Sequence, residues 1–168
     1  MEIHKVSKEE IPELSKICKQ TYIDHYSHIR SPKGLEEHLT KNFSIEKLSA
    51  SSSEAGTTFF FVQKENTVVG YFKLNIASTL PNGVETGLEL EKIYFLKEYT
   101  GKGFGSKTID FIKAFAKENH QNFIWLDVLM NKPNAIRFYE KMGFQKSFEI
   151  KFSTDILDIG MWVMTFQE

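Results

Sequence analysis

At 168 residues, with 41% hydrophobic and 26% charged residues and a formal net charge of -1, the chain has the size and balance of one globular domain, 1–168, that builds a core without disulfide or metal staples. That balance gives no basic excess for nucleic acid, and no apolar run approaches the roughly 20 residues that span a bilayer, so neither nucleic acid nor membrane is an expected partner. The single Cys18 excludes an internal disulfide, and the opening MEIHKVSKEEIPEL carries neither an apolar leader nor twin arginines, which points to a cytoplasmic location.

Taken in chain order, Ser7 followed three residues later by Glu10 forms a capping box, and Ile11, Leu14, Ile17, Cys18 and Ile23 recur near helical spacing, predicting a helix from about Ser7 toward Tyr26. Ser31-Pro32 opens a second helix through Leu35, Leu39 and Phe43, with a break near Ser44 and a resumption over Ile45 to Leu48. Residues 50–56 are small and polar and read as a loop. Thr58 to Gln63 and Val68 to Ile76 are rich in aromatic and β-branched residues around Glu65-Asn66, which predicts a β-hairpin. Ser78 to Gly87 reads as a turn-rich loop and Leu88 to Phe95 as a strand running into glycines at 101, 103 and 105. A helix follows to near His120, then a buried strand over Phe123 to Leu129 and a helix over Pro133 to Met142 closed by Gly143. Strands around Phe148 and Trp162 complete the chain.

The chemistry concentrates where a strand enters a glycine-rich turn that opens a helix. Unblocked amides at the positive end of a helix can surround a pyrophosphate, and glycines let the phosphates approach. The turn lacks the Gly-Lys-Ser/Thr end of a P-loop and sits too late in the chain for a dinucleotide fingerprint. A purely structural corner between strand and helix is the competing reading.

The stretch Thr100-Gly101-Lys102-Gly103-Phe104-Gly105 resembles the acetyl-CoA motif of the GNAT acetyltransferases, Q/R-x-x-G-x-G/A, with Thr100 in place of the usual Gln or Arg. Downstream, Asn134-Ala135-Ile136-Arg137-Phe138-Tyr139-Glu140-Lys141-Met142-Gly143-Phe144 is similar to the same superfamily's A-I-x-F-Y-x-K-x-G-F helix. The resemblance implies an α/β fold with a mixed, largely antiparallel sheet of about seven strands flanked by helices, splayed between the fourth and fifth strands. It implies acetyl-CoA as cosubstrate, a small-molecule amine as acceptor and no metal. The backbone of Ile93, Tyr94 and Phe95 would hold the acetyl carbonyl and pantetheine. Gly101, Lys102, Gly103, Phe104, Gly105 and Ser106 would hold the pyrophosphate, with Thr100 at the entry. Relatives often carry Asn three residues before the Ala, where this chain has Lys132, so the role stays open between Asn131 and Asn134; Phe138 packs beside the cofactor.

Aminolysis of a thioester expels a thiolate of pKa about 8.5, which leaves more easily if a phenol of pKa about 10 donates a proton. Tyr139 is the expected acid; a core aromatic is the plainer alternative. An amine of pKa near 10 must lose a proton before attack, and Glu91, beside the acetyl-binding strand and matching in position the base proposed in spermidine/spermine acetyltransferases, is the expected base, with Glu89 second and a charged strand edge as the competing reading. Phe43 to Leu48, Val69 to Asn75 and Leu90 to Tyr94 resemble the PaiA-type branch, which implies polyamine acetylation; a peptide acetyltransferase and a non-catalytic acyl-CoA sensor are the rivals. Asp24, His25, Tyr26 and His28 lack a completing ligand for a metal, and Cys18 is expected to be packed. The sequence leaves a homodimer open.

Overall fold

The computed structural model describes residues 1–167. Seven strands form one sheet in the order β1-β2-β3-β4-β5-β7-β6: β1 (Glu2–Lys5), β2 (Thr57–Lys64), β3 (Thr67–Thr79), β4 (Thr86–Phe95), β5 (Ile124–Leu129), β6 (Gln145–Ser153) and β7 (Asp158–Phe166). Every pairing is antiparallel except β4 with β5. Five helices flank it: α1 (Ile11–Tyr26), α2 (Pro32–Phe43), α3 (Ile45–Ser52), α4 (Phe104–Glu118) and α5 (Pro133–Lys141).

Local sequence explains the starts and stops. The box between Ser7 and Glu10 forms, with the Glu10 carboxylate accepting from Ser7 N at 2.8 Å, but it caps a 3-10 turn that leads into α1. The hydroxyls of Ser31 and Ser44 cap α2 and α3, and this second cap is why the helical run breaks after Phe43. Glu65 and Asn66 both adopt positive φ, as the tight turn between β2 and β3 requires. The expected 78–87 loop shrinks to residues 80–85, because β3 and β4 extend further toward each other.

The alternation of β2 splits the core. Phe60 and Val62 face α4 and α5 with Phe72, Leu74, Ile109 and Ile112, while Phe59 and Phe61 face α1 and α3 with Leu14, Cys18 and Tyr71. Cys18 is fully buried and its thiol is pushed up to about 12, so it is packing and not a nucleophile.

Two irregularities in the centre of the sheet position the site. On β4, Lys73 pairs with Lys92 and Leu74 with Leu90, which leaves Glu91 as the extra residue of a bulge. On the other side of β4, pairing with β5 is confined to Leu88↔Ile124 and Glu89↔Trp125, so the two strands part just before the bulge. Beyond that point Ile93, Tyr94 and Phe95 keep β3 as their only registered strand partner.

Candidate active site

Three element ends converge on this gap. The chain leaves β4 through a 3-10 turn, Lys97–Tyr99, and the Thr100 hydroxyl donates to Lys97 O at 2.8 Å, fixing the bend. Gly101 and Gly103 then take φ of 73 and 83, the left-handed region, with no atom within 4 Å of where a Cβ would stand. Gly103 caps α4 without any side-chain hydrogen bond. The first amide in this stretch with a backbone acceptor is Lys107, to Gly103 O at 3.4 Å; among the described residues the amides of 101–106 have none. An open, uncapped helix N-terminus with six free donors fits a diphosphate. Phe138 of α5 packs against Gly105 so closely that a Cβ there would meet its ring at 3.1 Å, which holds the two helices together. Phe104 packs on Phe95 and Tyr99, Ser106 is half-buried, and exposed Lys102 lies over the Tyr99 ring at 5.6 Å.

Tyr139 projects from α5 between Phe138 and Phe144. Burial raises its phenol pKa, with Tyr26 and Asp127 adding to the rise, so the group stays protonated at neutral pH. Tyr26 and Tyr94, whose rings meet edge-on at 5.6 Å, are held up chiefly by burial as well.

Glu91, the base expected from the sequence, sits in a network of ion pairs. Glu91 pairs with the Lys73 ammonium and lies 2.5 Å from Lys92 Nζ, and Asn75 Nδ2 donates to it at 2.8 Å. Burial opposes ionisation, but Lys92 and Lys73 prevail and bring the carboxyl down to about 2. A carboxylate held there is a weak acceptor for an ammonium proton, and its contacts to Lys73 and Asn75 tie the bulge to β3. Glu89, the second choice, accepts from the same Asn75 amide and from Ser78 Oγ at 2.8 and 2.7 Å.

Asn131 sits exposed on the β5–α5 turn and Asn134 in the first turn of α5, where its side-chain oxygen accepts from Arg137. Lys132 between them reaches across the gap: its Nζ donates to His25 O at 3.0 Å and lies 4.9 Å over the Tyr26 ring. His25 Nε2 donates in turn to Phe95 O at 2.9 Å. A few residues on, Ser31 donates through its amide and hydroxyl to Asp155 in the β6–β7 turn. Segment 25–31 is thus tied to β4, to the β5–α5 turn and to the last hairpin. None of these ties carries a sequence signal beyond the presence of the polar residues. A cleft of about 680 Å³ along the β6–β7 hairpin, bounded by Met130, Phe152 and Gly160, lies apart from the gap.

Comparison with known proteins is consistent with this geometry. Residues 17–144 match the model described as "Acetyltransferase (GNAT) family". An uncharacterised N-acetyltransferase encoded in the pepI 3' region of Lactobacillus delbrueckii subsp. lactis is 29% identical over 90% of this chain and 88% of its own. The spermidine N(1)-acetyltransferase of Thermoplasma acidophilum is 25% identical over 86% of this chain and 88% of its own. The crystal structure of the PaiA N-acetyltransferase from Thermoplasma acidophilum, in complex with coenzyme A, superposes with a TM-score of 0.80 at 23% identity, covering 99% of this chain and 98% of that one.

Proposed function

Because the chain belongs to the acetyltransferase (GNAT) family, we propose that it moves the acetyl group of acetyl-CoA onto a primary amine of a small molecule, with a polyamine such as spermidine or spermine as the favoured acceptor. The observation that carries this reading is the row of unpaired amides at 101–106, at the mouth of a gap between two parallel strands. Acetyl-CoA supplies the thioester carbonyl that the amine attacks directly, without an acyl-enzyme.

The amides of 101–106 bind the diphosphate, with Thr100 and Lys102 at its edge. The backbone of Ile93 to Phe95 has no partner from β5 and orients the pantetheine arm as an added strand would be oriented. Phe138, Asn131 and Asn134 border the same arm on the α5 side. The amide of Phe95 is the donor offered to the developing oxyanion. The Tyr139 phenol, kept protonated by its surroundings, gives its proton to the departing thiolate.

A small acceptor is favoured by the ties that fix segment 25–31 to β4, to the β5–α5 turn and to the last hairpin, leaving less room for a polypeptide at the gap. A cationic acceptor is favoured by charge: Lys73 and Lys92 both pair with Glu91, while Glu89 is held by the neutral Asn75 and Ser78 and Asp127 adds a further carboxylate at the gap. The Thermoplasma relative named for spermidine agrees with this. Thiol release from acetyl-CoA, measured against polyamines, amino acids, aminoglycosides and peptides, tests the reading. Release with polyamines above all is expected; release with none of these acceptors refutes it.

A further inference from the structure

Asp127 is the one charged residue in the strand IWLDVL, whose other members are all buried. Carboxylates are poor strand formers, and this one gains nothing locally: Asp127 pairs through its backbone with Val163, and among the described residues no hydrogen bond reaches its carboxyl. Its position follows from the register. Glu89 pairs with Trp125, so two residues further along parallel strands Asp127 stands opposite Glu91, the bulge, where the ladder has just ended. With Trp125 it points to the face opposite Ile124, Leu126 and Val128, which belong to the α4 and α5 core.

We propose that Asp127 is the general base of the reaction, accepting the proton of the acceptor ammonium across the β4–β5 gap, on the premise of the acetyltransfer reading above. The amine nitrogen, once deprotonated by the Asp127 carboxylate, forms the bond to the acetyl carbon. The carbon–sulfur bond breaks, and the sulfur leaves with the Tyr139 proton. The new amide nitrogen sheds its second proton, which restores the Tyr139 phenol, and Asp127 gives its proton to water, so one proton is released per acetyl group transferred and charge balances over the cycle.

The surroundings agree in sign. Glu89 and Glu91 from β4 disfavour a third negative charge, Lys92 from the same strand favours it, and Tyr26 of α1, Tyr94 of β4 and Tyr139 of α5 are neutral phenols. Although the side chain is open to solvent along the gap, protein crowds it on the remaining sides, and that desolvation is the largest influence. The result is a carboxyl raised from 3.8 to about 6, a better proton acceptor at neutral pH than Glu91 at about 2.

The test is the pH dependence of thiol release with spermidine and acetyl-CoA for the parent, Asp127→Asn and Asp127→Glu. In the parent, kcat/KM falls at acid pH with an inflection near 6. Asp127→Asn lowers kcat by about 10²-fold or more and removes that inflection, while coenzyme A still raises the melting temperature as in the parent. Asp127→Glu restores part of the rate with a displaced inflection, which a merely structural role would not produce. An Asp127→Asn enzyme that keeps the parent's acid inflection, or turns over within threefold of it, overturns Asp127 as base and leaves acetyl transfer intact. A parent with no amine-dependent thiol release overturns the acetyltransfer reading, and this assignment falls with it.

Discussion

Two glycines with the same backbone strain separate a structural corner from a phosphate cradle. Gly103 and Gly83 have φ of 83 and 74, and neither has an atom within 4 Å of an added Cβ. Alanine at either position therefore meets no clash and carries only the left-handed penalty of about 1–2 kcal/mol. For a chain of this length that lowers the melting temperature by about 2–8 °C. The two sites differ in ligand binding. Coenzyme A at a hundred times its dissociation constant stabilises by about 2.7 kcal/mol, or roughly 5–11 °C. In Gly103→Ala the methyl group projects into the open space that the proposed diphosphate fills; losing two charge-assisted hydrogen bonds of about 1.5–3 kcal/mol each weakens binding by 10²-fold or more. At the same ligand concentration the shift then shrinks to about 2 °C or less. Gly83→Ala, in the loop between β3 and β4, keeps the full shift from its lowered baseline. Differential scanning fluorimetry with and without coenzyme A reads both. A Gly103→Ala protein with the parent's ligand shift would falsify the cradle.

Tyr139→Phe removes the proton donor without changing the ring; kcat for thiol release should fall by about 10²–10⁴-fold while the coenzyme A shift stays at the parent's size. Rates within twofold of the parent exclude the phenol from the mechanism. Glu91 has a folded pKa of about 2 against an ordinary value of 4.5, so its stabilising contribution is complete above about 4.5 and is lost as pH falls toward 2. The melting temperature of Glu91→Gln should accordingly lie below the parent's at neutral pH and converge on it in that acid window; equal values at pH 7 refute the ion-pair account. Asp127 has the opposite sign: raised to about 6, its ionised form disfavours folding above that pH, and the cost disappears as pH falls toward 3.8. Asp127→Asn should melt above the parent at pH 8 and match it near pH 4, and a lower melting temperature at pH 8 contradicts the unpartnered carboxylate.

Elements whose signals are local were legible in the sequence. The Ser31 and Ser44 caps, the Glu65-Asn66 turn and the glycines after Phe95 each act within a few residues, and each stands where its chemistry predicts. β1 was not legible, because Glu2–Lys5 is four residues long with a half-buried histidine and a lysine, and it exists by pairing with β2 about sixty residues away. The strand Phe123 to Leu129 was read correctly as buried, yet the meaning of its one carboxylate depends on where β4 ends its pairing. The signal that could have singled out Asp127 was a charge in the middle of an apolar run. For Glu91 the sequence offered the neighbourhood and not the ion pair: Lys73, eighteen residues earlier and 8% exposed, meets the carboxylate only because β3 and β4 pair.

That buried pair also accounts for why the gap lies where it does. A bulge adds local twist and swings the strand away from its neighbour, and here the last β4–β5 pair, Glu89 with Trp125, lies two residues before the bulged Glu91. An extra residue in the middle of a sheet would relax if its side chain had no partner. Glu91 has three, and two of them, Lys73 and Asn75, come from β3 on the closed side of β4. The ion pair therefore draws the bulge toward β3 and keeps the far edge of β4 free, so the carboxylate held by Lys73 and Lys92 keeps open the gap in which the proposed base Asp127 and proposed acid Tyr139 meet an acceptor.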